Sequence, residues 1–338
     1  MLSVLLCVAI HTGAAAIQTE SCDRDCLKGI ADRVLESMVD GDPAALPLSR
    51  SYAATENSQP AALSMMSPWR KTIGITQTGQ YIIDPLAGQI FFTASLNENG
   101  VPALLMARLK VENHRISELE LYINRSRADS GFLFQPEALG TPLNAWKDSV
   151  PKGKRATREE LLKVGKAIFD TGIPVPESAQ ACVLMEMGGV VYEDPDYLPA
   201  VMDVDQETRD LTGKERITIP CGLIPNRPTD PDARVKVIDE EQGIVVSFAT
   251  VHGYVSPYLV TGATESCFVP DTMIEDHRNY LKALDSKTIQ SRKVLREMPA
   301  SVATIEVVRF HSNRIQGMHR YMNLQGPGAV SPWISKTP

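Results

Sequence analysis

Two stretches of the chain spell the same pattern. Tyr81 to Phe92 reads YIIDPLAGQIFF, and Lys236 to Ser247 reads KVIDEEQGIVVS. Each has Ile-Asp, three residues, Gly, and then a β-rich apolar run. Such a unit is a turn leading into a strand: the Asp carboxylate caps the turn and Gly supplies a permissive backbone. Asp84 and Asp239 are therefore expected to be structural rather than catalytic. The repeat extends to both sides. Each half runs through a helix, a short strand ending in Glu-Asn or Glu-Asp (Glu56-Asn57, Glu193-Asp194), a variable region, the Ile-Asp-x-x-x-Gly unit, two strands and a closing Arg-Ile hairpin (Arg115-Ile116, Arg314-Ile315). The order of elements recurs, not their identity. A repeat of this length means two copies of one domain, and 338 residues suit two domains of ordinary size.

In the first half, Leu27, Ile30, Val34 and Met38 recur at helical spacing, and Gly41-Asp42-Pro43 ends the helix. From Tyr81 the pattern turns to strands, with a hairpin turn at Asn99-Gly100 and another around Asn113-His114. This predicts a helix followed by an antiparallel meander. Residues 141–156, rich in Pro, Gly and charge, read as a linker. Thr157 and Glu160 then form a capping box opening a second helix, with Leu161, Val164 and Ile168 on its apolar face.

The first sixteen residues combine a short apolar run with Ala14-Ala15-Ala16, the pattern of a cleaved export signal. The alternative is a buried first strand. Export fits the cysteines. Cys7 leaves with the signal, and five remain: Cys22, Cys26, Cys182, Cys221 and Cys267. Cys22 and Cys26, four apart in a helix, are awkward partners for each other, and Cys182–Cys221 is the preferred bridge. The chain is expected to be secreted, or periplasmic if bacterial. No C-x-x-C or H-x-x-x-H spacing occurs, so no metal site is expected. Asn124-Arg125-Ser126 is a glycosylation sequon, meaningful only in a eukaryotic source. A net charge of −7 argues against nucleic acid or an anionic membrane as partner.

One helix followed by a strongly bent antiparallel sheet closed by a long hairpin resembles the nuclear-transport-factor-like, or SnoaL-like, superfamily. CDRDCLKGIADRVLESMVDGDPAALPL and YAATEN look similar in particular to a mostly fungal family of secreted two-domain proteins. The usual Glu-Asn-Gly motif of that family stands here as Glu56-Asn57-Ser58 and Glu193-Asp194-Pro195. The resemblance implies an α+β fold of two tandem cone-shaped domains packed as a pseudo-dimer within a monomer. The first would span 17–140 and the second 157–325, with 326–338 as a C-terminal tail. It further implies pockets at the open ends of the cones. Relatives such as ketosteroid isomerase, scytalone dehydratase and SnoaL-type cyclases use no cofactor. They set a carboxylate or His in an apolar pocket, with hydrogen-bond donors for a developing oxyanion.

Candidates for such a site follow. His252 and Tyr254 share a strand face with Thr250; the His is either a proton acceptor or a rim residue bonded to backbone. Glu306 interrupts a β-branched run, where a carboxylate needs a partner or faces solvent. Glu193 and Asp194 follow an apolar strand, with Tyr192 beside them. Glu56, Asn57 and Trp69 are the matching substrate-binding candidates in the first half, although Trp69 also suits a core. The second repeat is about 44 residues longer, and the excess, near 256–299, carries His277 and Tyr280 on a predicted helix. It is a lid or a packing element. The expected function is an exported, cofactor-independent enzyme acting on a small hydrophobic or phenolic metabolite by general acid–base chemistry. The alternative is a binding or interaction module without turnover, in whose favour no nucleophile–base pair stands out and no Gly-rich phosphate loop or nucleophile elbow occurs.

Overall fold

The computed structural model describes residues 22–126, 134–140, 146, 149–190, 192–193, 217–218, 221, 227–260, 263–283 and 297–334. The expected export signal, much of the expected linker, Asp194 and residues 284–296 of the insertion lie outside them.

Helix α1 (Arg24–Asp40) forms as its periodicity requires. Asp23 caps it by accepting from the Cys26 N–H, and Gly41 ends it in the left-handed conformation. Its buried face, Leu27, Ile30, Ala31, Val34, Leu35 and Met38, covers one side of a sheet. The strands of that sheet are β1 (Leu48–Glu56), β2 (Gln59–Pro60), β3 (Thr72–Thr78), β4 (Ile82–Asp84), β5 (Gln89–Glu98), β6 (Val101–Glu112) and β7 (Arg115–Asn124), in the order β2-β1-β7-β6-β5-β3, with β4 on β5. Short helix α2 (Ser67–Lys71) precedes β3.

The second unit repeats this plan. Helix α3 (Arg158–Ala167) opens with both hydrogen bonds of the capping box. It lies on a sheet of β8 (Leu184–Glu186), β9 (Gly189–Val190), β12 (Arg234–Asp239), β13 (Ile244–Val260), β14 (Ala263–Pro270), β15 (Met298–His311) and β16 (Arg314–Gln325), ordered β12-β13-β15-β16-β8-β9, with β14 on β13. A separate pair, β10 (Tyr192–Glu193) and β11 (Ile217–Thr218), completes the described strands.

The architecture is α+β, with two seven-stranded sheets and few helices. Both sheets are mixed, correcting the expectation of antiparallel ones. β1 runs parallel to β7, and β8 runs parallel to β16. A parallel partner lies far along the chain and leaves no hairpin signal in the sequence. The insertion begins as an extension of β13, which folds back as β14 and continues into helix α4 (Ile274–Ala283).

The repeated motif holds the two units together. Asp84 caps its own turn through the Ala87 N–H and reaches across to the Ile238 N–H of the other repeat. Asp239 does the same with the Gln242 and Ile83 N–H groups. Each also pairs with the first arginine of the other unit's opening helix: Arg158 with Asp84 at 2.7 Å, and Arg24 with Asp239. Twin asparagines add a reciprocal contact. Asn124 donates to the Met322 carbonyl, and Asn323 to the Ile123 carbonyl at 3.4 Å. Asn124 is thus fully buried with its amide nitrogen engaged, which closes the predicted sequon in the folded chain.

Candidate functional site

The faces of the two sheets that turn away from their helices meet each other. Phe91 of β5 packs edge-on against Phe248 of β13 and lies 6.0 Å from the Tyr321 ring. Arg108, fully buried, donates to Glu120, and Arg234 of the second unit pairs with the same carboxylate at 2.9 Å. Burial alone would push the Glu120 carboxyl up, but the two guanidiniums override it and hold the group down. One cavity at this interface, lined by Thr93, Trp146, His319 and Tyr321 among others, is about 40 Å³. It has room for water rather than a metabolite. In it, the Gly188 N–H donates to His319 Nε2, which leaves the ring proton on Nδ1, 2.9 Å from the Tyr321 hydroxyl. Burial lowers the His319 pKa to about 3, so the ring stays neutral.

The faces toward the helices differ between the units. In the first sheet, cross-strand register aligns Phe92, Ala107, Leu121 and Glu56 in one row from β5 to β1. In the second, the corresponding row from β13 to β8 is Ser247, Glu306, Arg320 and Glu186. The Ser247 hydroxyl donates to the Gly165 carbonyl of α3, which places the row on the helix side. Where the first unit buries Phe, Ala and Leu, the second buries charge. Glu306 Oε1 accepts from Arg320 Nε, and Arg320 Nη1 lies 3.4 Å from Glu186 Oε1. Glu306 Oε2 is buried with no hydrogen-bond partner among the described residues. Desolvation raises the Glu306 pKa, with the Arg320 charge only partly opposing it. Arg320 keeps 27% of its side chain exposed, so the row has a route to solvent.

The sequence candidates fall in several places. His252 and Glu306 are not brought together. Residue 247 faces Glu306 and residue 252 faces Ser301 along an unbroken register, so the two side chains stand on opposite faces of the sheet. His252 is exposed, with Nδ1 2.9 Å from the Ser301 hydroxyl. Tyr254 packs on Val269, Met273 and Ile274 beside the insertion, with the Arg278 guanidinium 5.8 Å above its ring. His277 is buried on α4. The side chain of Tyr280, on the same helix, lies outside the described residues, as do those of Tyr192 and Glu193 on β10.

Glu56 accepts from the Ser67 N–H at 2.8 Å and from its hydroxyl, capping α2. Asn57 sits at φ +50° and accepts from the Ile123 N–H, pinning the turn between β1 and β2. Trp69 is a core residue, 5% exposed, whose Nε1–H donates to Ser37 on α1. The structural counterpart of Glu56-Asn57-Ser58 is Glu186-Met187-Gly188, not Glu193-Asp194. It ends the strand parallel to the closing strand and, like Asn57-Ser58, turns through two successive positive φ angles. Sequence reasoning missed Glu186 and Arg320. The string Glu-Met-Gly-Gly after an apolar strand was the signal for the first, with the central Asn replaced by Met.

Among the described residues two disulfides form. Cys182–Cys221 is the expected one, and it ties the approach to β8. Cys22–Cys26 also closes, contrary to expectation. Cys22 precedes the capping residue of α1 and lies outside the helix, so its backbone is free to turn its sulfur toward Cys26. Both bridges fit an extracellular protein. Among the described residues no helix is long and apolar enough to cross a membrane.

No family model and no curated protein matches the chain. Among solved structures, it is similar to a de novo designed protein with a curved β-sheet, at 13% identity over 30% of this chain and 88% of that one, with a TM-score of 0.26. It is also similar to PrhC from Penicillium brasilianum NBRC 6234, at 15% identity over 30% of this chain and 82% of that one, with a TM-score of 0.24.

Proposed function

We propose that the chain is an exported, cofactor-independent enzyme whose site is the helix-facing row of the second unit. Each unit is read as a SnoaL-like cone, and the pair as a pseudo-dimer inside a monomer. One observation carries this reading: the row that is Phe92, Ala107 and Leu121 in the first unit is Ser247, Glu306 and Arg320 in the second. Burying charge costs free energy unless it is paired. A fold that needed only a core would keep the apolar version, as the first unit does.

Glu306 is the proton-transfer group in this reading. Arg320 holds one oxygen, and the other, Oε2, has no hydrogen-bond partner among the described residues and is the atom to meet a substrate. Its raised pKa makes the carboxyl a better base when ionised and keeps its acid form accessible nearer neutral pH. Arg320 also supplies positive charge for an oxyanion formed when a proton leaves carbon or a phenol. The substrate is a small hydrophobic or phenolic molecule, and the reaction an isomerisation, elimination or cyclisation. The first unit acts as a scaffold.

The second reading is a binding module. It is favoured by the separation of His252 from Glu306, which leaves no His–carboxylate pair in the row. A thermal-shift screen of phenolics, polyketides and small lactones, followed by mass spectrometry, separates the two. A ligand converted by the wild type and bound intact by Glu306→Gln is the expected result. A ligand bound intact by both would establish the binding module.

A further inference from the structure

We propose that Cys22, Cys26 and His114 form a redox-gated metal site, closed while the two cysteines are joined and able to take a thiophilic cation such as Zn²⁺ or Cu⁺ once they are reduced. The site lies on the first unit and is independent of the proposed activity. The two sulfurs flank the start of α1, and His114 comes from the tip of the β6–β7 hairpin, 88 residues from Cys26 in sequence. Asn113 and His114 both take positive φ, +51° and +59°, which turns the hairpin tip over the helix start. His114 Nδ1 stands 3.2 Å from Cys26 Sγ, and the three potential ligand atoms lie within 4.8 Å of one another.

That spacing matches what a metal needs. With metal–sulfur bonds of about 2.3 Å and metal–nitrogen bonds of about 2.1 Å, tetrahedral donors stand roughly 3.5–3.8 Å apart. The sulfur–nitrogen separation is already close to this. The two sulfurs must part by less than about 2 Å, a side-chain rotation. Two thiolates and one imidazole make a donor set for a soft or borderline cation, with a fourth position left open. Cys26 occupies the first turn of α1, where the helix N-terminus favours a thiolate. Asp23 already holds the Cys26 N–H at 2.9 Å, so the helix start is fixed without the metal.

The chemistry balances. Two thiols, oxidised to their disulfide, or one phosphine, oxidised with water to its oxide, supply two electrons and two protons; the S–S bond breaks and two thiols form. Metal binding then displaces two thiol protons, so affinity falls as pH falls.

The test uses the mature full-length chain, reduced anaerobically with a phosphine, and Co²⁺ as the probe. The expected result is thiolate-to-cobalt charge transfer and tetrahedral d–d bands in the reduced protein, with neither in the oxidised one. A Cys22→Ser/Cys26→Ser variant, which keeps the other cysteine pair, should lose these bands. His114→Asn keeps a residue that tolerates the turn conformation but removes the imidazole, and it should weaken binding at least tenfold. Equal spectra from wild type and the double serine variant, or unchanged affinity in His114→Asn, would overturn the proposal. So would loss of the circular dichroism of the folded chain on reduction.

Discussion

Two buried titratable side chains give opposite pH signatures. The folded-state pKa of Glu306 is raised, so above the unfolded value of about 4.3 the unfolded chain gives up this proton more readily. Stability is therefore lost as pH rises through that window. Glu306→Gln removes the penalty, and its melting temperature should gain on the wild type as pH climbs from 4 to 7. A gap that shrinks with rising pH would contradict the assignment. His319 behaves in reverse. Folded, it refuses a proton until about pH 3, while unfolded it takes one near 6.5. Stability should fall as pH drops through that interval, by up to about 1.4 kcal/mol per pH unit from this residue. His319→Gln should flatten the acid limb of a denaturant-melt series. An unchanged slope would show that the ring is protonated in the fold.

At the scale of elements, the Ile-Asp-x-x-x-Gly turn is the most constrained piece. Gly88 and Gly243 both take positive φ, and a methyl group at Gly88 would meet the Val111 carbonyl oxygen at 2.4 Å. The Gly88 and Gly243 carbonyls accept from the Val111 and Phe310 N–H groups at 2.8 and 2.7 Å, so neither turn can move away. Gly88→Ala should cost more than about 1 kcal/mol in chemical denaturation, as should Gly243→Ala. An exposed glycine such as Gly153, with open space around it, should tolerate the same change.

The legibility of the elements followed their range. Helix α1, the capping box of α3 and the hairpin turns are written in neighbouring residues and could be read directly. The parallel pairs β1–β7 and β8–β16 are settled by partners about sixty residues or more than a hundred residues away, and no local pattern announces them. The site suffered from the same limit. Strand alternation groups side chains only within one strand, and only the shared register of β13 and β15 shows His252 and Glu306 to stand on opposite faces. Glu186 was hidden because its motif kept the Glu and changed the Asn, while Glu193-Asp194, seven residues on, imitated it.

For the whole molecule, the two units are cross-linked by side chains more than by the segment that joins them. Asp84→Ala removes the acceptor for Arg158 and two backbone N–H groups, and Asp239→Ala removes the matching set around Arg24. Each should lower global stability by about 3 kcal/mol, since donors buried with these carboxylates lose their partner. A single cooperative transition is expected in the wild type. Two separated transitions in calorimetry would show that the carboxylates do not couple the units.

These crossed contacts mean that the first half of the chain completes the second, and the reverse. Each Ile-Asp turn is finished by a backbone N–H and an arginine that its own half does not own. The polypeptide connection between the halves is then a convenience of synthesis rather than a condition of assembly. Two separately expressed fragments, divided near residue 148, should each be poorly folded alone and recover the native circular dichroism on mixing. The chain would behave as a split protein whose complementation is written into a pair of aspartates.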